Sequence, residues 1–131
     1  MLAQPSETCI IFHSSDLDRA ERFYRDVFGI AFEPRGIGAE RLLFARLSPV
    51  FSISIMRGEG QPGTSPLLTF TLADGGIADV VDALAHYGAT IVSPVGPAPE
   101  GHGATLRDAD GHLLGLYQPA TQPLSRKDRS Q

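Results

Sequence analysis

The chain has 131 residues, which suits one compact domain or two very small halves sharing a core. A net charge of −4 argues against nucleic-acid or anionic-membrane binding, which show as basic excess. One cysteine excludes an intrachain disulfide, and no apolar run approaches the roughly 18–20 residues of a membrane span.

Residues 8–13 form an apolar run rich in Ile and Phe that reads as a strand. Ser15 or Asp16 can cap the helix that follows, and Ser15 with Asp18 makes a capping-box pattern. Leu17, Ala20, Phe23, Tyr24, Val27 and Phe28 follow the helical period and predict one buried stripe, ended by Gly29. Arg19, Arg22 and Arg25 alternate with Asp18, Glu21 and Asp26, a mixed solvated face with no net field. Strands are predicted around 30–34, 40–47 and 51–57, with turn signals at Arg35-Gly36-Ile37-Gly38 and Ser48-Pro49.

Gly58 to Pro66 is the best linker in the chain. Beyond it come a strand at 67–72, a helix at about 76–87 with Ile77, Val80, Val81 and Leu84 as its apolar stripe, and strands at 89–92, 103–107 and 112–118. The Gly/Pro-dense stretch 93–103 reads as a long surface loop or as a lid over a cavity mouth. Asp108 and Asp110 beside Gly111 stabilise a hairpin turn. The polar residues 119–131 read as a flexible tail. The first residues, Met1 to Glu7, carry neither the basic end nor the apolar core of an export signal, so a cytoplasmic setting is expected.

The two segments repeat one another. Phe12, Asp16 and Ala20 fall on Phe70, Asp74 and Ala78 at a constant offset, and Gly29 falls on Gly88 after one inserted residue. Each unit reads strand–helix–strand–strand–strand, so two half-cores must pair to bury their apolar faces. A ferredoxin-like fold has two strands between its helices, whereas three candidates follow the first helix here. The expectation is one α+β domain of two modules, 7–58 and 66–118.

Ser15 to Gly29 (Ser-Asp-Leu-Asp-Arg-Ala-Glu-Arg-Phe-Tyr-Arg-Asp-Val-Phe-Gly) resembles the first helix of the vicinal oxygen chelate superfamily. That group includes glyoxalase I, bleomycin-resistance proteins and extradiol dioxygenases. Leu106 to Gln118 resembles its closing hairpin, usually Asp-Pro-Asp-Gly-Asn followed by a strand. The resemblance implies tandem βαβββ modules forming a half-open mixed barrel, frequent homodimers, and a ligand site in the concavity. It does not fix function, because one scaffold hosts many chemistries.

Enzymes of this superfamily typically hold a divalent cation through His and Glu side chains on cavity-facing strands. By the resemblance, those positions fall on Cys9, Leu67 and Gly115, and the fourth strand, 51–57, holds no carboxylate or imidazole. A cation needs several convergent donors, so a metal-free member is expected, with no cofactor. Strand alternation then places Cys9, Ile11, His13, Leu67, Thr69, Thr71, Leu113, Gly115 and Tyr117 on the inner face, with Ile10 and Phe12 under the helix. No catalytic set is legible. His13 is the candidate for proton transfer, or equally a strand-end imidazole satisfied by backbone. Cys9 reads as an activated thiol or a buried structural cysteine, and Tyr117 as a ligand phenol or a core residue with its hydroxyl at the rim.

The expectation is therefore a binding protein for a small organic molecule, using Cys9, Ile11, His13, Leu67, Thr69, Thr71, Leu113 and Tyr117, assembled as a homodimer and without nucleic-acid or membrane partners. A lyase, isomerase or dioxygenase with a displaced metal site built from His13, Cys9, His102 or Glu59 is the alternative. An interaction module with a collapsed cavity is the third.

Overall fold

The computed structural model of the chain describes residues 4–60 and 65–125. Its elements are β1 (Glu7–Ser14), α1 (Leu17–Phe28), β2 (Glu33–Arg35), a 3-10 turn (Gly38–Glu40), β3 (Leu42–Ser48), β4 (Phe51–Arg57), β5 (Leu67–Thr71), α2 (Ile77–His86), β6 (Thr90–Ala98), β7 (Gly101–Arg107) and β8 (Leu113–Pro119). One mixed sheet holds all eight strands, in the order β2-β3-β4-β1-β5-β8-β7-β6. The repeat is visible in that order. Each module runs outward from its first strand, through a parallel partner (β4 on β1, β8 on β5) and then two antiparallel strands. The modules meet where β1 pairs antiparallel with β5, Cys9 opposite Thr69.

Helix α1 begins where Arg19 N–H donates to Asp16 Oδ1 at 3.0 Å, so Asp16 rather than Ser15 is the cap. It ends at Gly29, whose φ of 70° is the left-handed conformation that a side chain resists. Leu17, Leu43 and Ile55 form the core under α1, with Ala20, Tyr24 and Phe32 packed against it. Phe12 stacks on Tyr24 at 5.8 Å, as the alternation of β1 requires. The single buried stripe expected of α1 is only half realised. Phe23, Val27 and Phe28 are 53%, 57% and 65% exposed, because the helix rests on the sheet through Leu17, Ala20 and Tyr24 alone.

The second core is larger: Leu72, Ile77, Val81, Ala104, Leu106 and Leu116 are buried together, with Phe70, Val80 and Leu84 packed against them. Here α2 is capped differently from α1. Its first residue is preceded by Gly76, which offers no side chain, and Ile77 N–H donates instead to Gln118 Oε1 at 2.9 Å. Gln118 is fully buried, and its Nε2 donates to the carbonyls of Gln122 and Pro123 at 3.0 and 3.3 Å.

Two expectations change. The stretch 93–103 is neither surface loop nor lid: β6 runs to Ala98 and turns directly into β7, with Ala98 opposite Gly101. Pro94 and Pro97 are tolerated because β6 is the last strand of the sheet, where missing N–H donors cost no ladder bond, and its register shifts twice. The segment expected to be a flexible tail opens with bonded residues: Gly76 and Ala78 N–H donate to the carbonyls of Pro123 and Leu124, both at 2.9 Å. Residues 126–131 lie outside the described part.

Gln118→Leu removes the acceptor of the buried Ile77 N–H and the Nε2 donor shared by the Gln122 and Pro123 carbonyls, and a buried group left unpaired costs about 1–3 kcal/mol. Urea denaturation of this variant is expected to show a loss of at least about 2 kcal/mol, against about 1 kcal/mol for removing the α1 cap in Asp16→Ala.

Candidate functional site

The curvature of the sheet encloses a cavity of about 640 Å³ on the face opposite the helices. Strand alternation sends every second side chain into it. β1 contributes Cys9, Ile11 and His13, β5 contributes Leu67, Thr69 and Thr71, and β8 contributes Gly115 and Tyr117. Leu113 shares their parity but does not line the cavity, whose β8 wall starts at Gly115. The far walls were not read from sequence. They bring in Arg35 from β2, Phe44 and Arg46 from β3, Ser54 and Met56 from β4, and the Pro94–Glu100 stretch of the β6–β7 hairpin.

The floor is the seam between the modules. Cys9 lies opposite Thr69 across β1–β5, and Thr69 opposite Gly115 across β5–β8. Cys9 Sγ lies 3.5 Å from Ser54 Oγ, a contact in which either group can donate. Thr69 is only 7% exposed, and among the described residues its Oγ1 has no hydrogen-bond partner. The hydroxyl occupies the space that a side chain at 115 would need: a Cβ there would lie 2.7 Å from Thr69 Oγ1 and 3.4 Å from Thr69 Cβ. Gly115 is thus the residue that accommodates Thr69.

At the mouth, Tyr117 Oη donates to the Pro99 carbonyl at 2.8 Å. Burial first, and then the Glu100 carboxylate, push this phenol above its ordinary value of 10.0, while Arg35 pulls the other way. Gly101 makes the contact possible, since a Cβ there would sit 2.1 Å from the Gln118 carbonyl and 2.7 Å from Tyr117 Oη. His13 stands at the end of β1 with its backbone N–H donating to Ser65 Oγ at 3.2 Å, and a Cβ at Gly58 would come within 3.1 Å of its ring. Among the described residues no carboxylate pairs with the His13 imidazole.

The donors of a displaced metal site are not brought together. Cys9 and His13 are four residues apart on one extended strand, about 13 Å along it. Glu59 is exposed in the linker. His102 pairs in register with Gln118, which serves α2, so it lies on the helix side of the sheet. Among the described residues no three His, Cys, Asp or Glu side chains form a group that could hold a metal ion. At the positions that the superfamily resemblance assigns to metal ligands, a thiol, an isobutyl group and a hydrogen atom meet a threonine that fills the gap. These residues do not fit a divalent cation.

Two βαβββ modules joined edge to edge around one concavity define the vicinal oxygen chelate fold. The chain belongs to the Glyoxalase/Bleomycin resistance protein/Dioxygenase superfamily, whose family model matches residues 10–116. Its structure is similar to methylmalonyl-CoA epimerase from Mycobacterium tuberculosis, with a TM-score of 0.69 at 19% identity over 91% of this chain and 90% of that one. It is also similar to hypothetical protein BH1468 from Bacillus halodurans C-125, with a TM-score of 0.66 at 14% identity over 88% and 94% of the two chains. A third is the NAD-dependent benzaldehyde dehydrogenase from Legionella pneumophila, with a TM-score of 0.64 at 15% identity over 86% and 98%. At these identities the likeness speaks for the fold alone. No curated protein gives a significant match to the chain.

The Thr69–Gly115 contact makes a quantitative prediction. Gly115→Ala overpacks the floor and is expected to cost about 1–3 kcal/mol by denaturant titration. Pairing it with Thr69→Ala should recover part of the loss, a coupling of at least about 0.5 kcal/mol. The raised Tyr117 phenol makes a second one. Its contribution to stability is complete below pH 10.0 and is lost as pH rises through the folded-state value, because the folded chain holds that proton longer. Tyr117→Phe should therefore flatten the fall in stability measured above pH 10.0.

Proposed function

We propose that this protein binds a small organic molecule in the sheet's concavity through its own side chains, without a metal ion. The observation that carries this reading is the floor. Cys9, Leu67 and Gly115 stand where the family resemblance implies the ligands of a cation, and Thr69 packs into the last of these places. What surrounds the floor suits an organic body. The walls are chiefly apolar, from Ile11, Leu42, Phe44, Met56 and Leu67, and a few hydroxyls and charged groups supply orientation. A volume of about 640 Å³ falls within the range of small-molecule sites. Binding of this kind needs no catalytic group, and a protective role by sequestration would follow from it directly. The proposal extends to a homodimer, the assembly implied by the family resemblance, and to a cytoplasmic setting, which a lone cysteine suits.

A thermal-shift screen of aromatic and aliphatic compounds, run with chelator and again with Zn, Ni, Mn or Fe salts, tests the reading. Ligands that stabilise the chain should do so equally in both series, by about 2.7 kcal/mol at a hundredfold excess over Kd. Elemental analysis of untagged protein should find no stoichiometric metal. Stabilisation that requires a divalent ion, or one firmly bound metal per chain, would contradict the proposal.

A further inference from the structure

We infer that the ligand of this cavity is an organic acid with a flat apolar body, its carboxylate held at the mouth by Arg35. This rests on the cavity being a ligand site and goes further by naming the chemical class it selects.

The inference starts from an asymmetry between the two cations on the lining. Arg46 pairs with a largely buried carboxylate: Glu7, 16% exposed, meets it through Oε1, while Glu7 Oε2 accepts from Ser52 Oγ at 3.0 Å. Both oxygens of Glu7 are thereby used inside the protein. Arg35 is held differently. Its guanidinium carbon lies 3.7 Å from the centroid of the Phe44 ring, a cation–π contact that fixes the group on the cavity wall. Its Nε and Nη2 both point to one oxygen of Glu33, at 3.2 and 2.8 Å, and Glu33 is not part of the lining. Arg35 carries five N–H donors and spends two. The side chains of Arg35 and Glu33 are 37% and 62% exposed, and a pair that wet is worth about 0–1 kcal/mol. A carboxylate arriving from the cavity can therefore displace Glu33 or add to it.

The rest of the lining sets where the charge must lie and what shape it accompanies. Glu100, from the β6–β7 hairpin, also lines the cavity, and it and Arg35 act in opposite directions on the Tyr117 phenol. Arg35 keeps N–H donors beyond the two given to Glu33, whereas Glu100 can only accept, so an acid is received at Arg35. The floor of Cys9, Ser54 and Thr69 carries no charge, so the inner end of the ligand is neutral. Phe44 forms one wall, and the hairpin residues Pro94, Ala98 and Pro99 form the other. Between an aromatic face and a hairpin stiffened by proline, a planar body buries the most area with the least ordering cost.

Isothermal titration with 2-naphthoate, 2-naphthylmethanol and 2-naphthylmethylamine separates charge from shape. The acid is expected to bind at least about ten-fold more tightly than the alcohol, the scale of one hydrogen bond to a charged group, and the amine most weakly. Arg35→Met should bring acid and alcohol to within about two-fold while the alcohol's affinity holds, and Arg35→Lys should keep part of the preference. Glu33→Gln should tighten the acid about two- to five-fold by releasing the guanidinium. Circular dichroism confirms that each variant is folded. Equal affinity of acid and alcohol for the native protein, a preference that survives Arg35→Met, or tightest binding of the amine would overturn the inference and leave the cavity reading standing. Failure of all three probes to bind at millimolar concentration would overturn both.

Discussion

The antiparallel pairing of β1 with β5 is the constraint on which the rest of the molecule depends. It joins two modules that each present a half-buried sheet, and it sets Cys9 opposite Thr69 and, through β8, Thr69 beside Gly115. A slip of one residue would turn every side chain of a strand to the other face. Ile10 and Phe12 would leave the helix side, and Cys9, Ile11 and His13 would leave the cavity. Register, core and site are therefore one decision. Because the floor lies on this seam, Thr69 can take up the space that Gly115 leaves.

Internal duplication explains the architecture, and departures from it explain the site. The helix caps diverge: Asp16 caps α1 from its own loop, whereas Gln118 reaches α2 from β8 and bonds the Gln122 and Pro123 carbonyls as well. The outer strands diverge more. β2 is three residues long and ends at Arg35, while its counterpart β6 has nine residues and includes Pro94 and Pro97. A cavity lined by strands so unequal has different chemistry on its two sides, with Arg35 and Phe44 from one module and Pro94, Pro99 and Glu100 from the other.

Much of the fold could be read from periodicity, since both helices and all eight strands leave a local signature in apolar spacing or turn residues. The inner face of β1, β5 and β8 was legible too, because alternation is strict wherever one face is buried. What escaped was non-local. Proline and glycine at 93–103 look like a loop until it is known that β6 is an edge strand, and nothing local says so. Leu113 has the right parity but stands beyond the end of the cavity, a matter of sheet curvature. Arg35 sits among turn residues, and only the pairing of β2 with β3 lays it over Phe44. The exposed Phe23, Val27 and Phe28 fit the helical period as well as their buried neighbours do, so their position on the outer flank depends on how α1 tilts over the sheet.

The central claim is that the seam cannot hold a cation, and that recognition falls to organic contacts above it. Crystals of the untagged protein grown with divalent salts, measured for anomalous scattering at the Zn, Ni, Mn and Fe edges, test it directly. The account predicts no anomalous peak among Cys9, Leu67, Thr69 and Gly115. A peak there with ligand bonds of about 2.0–2.3 Å would contradict it.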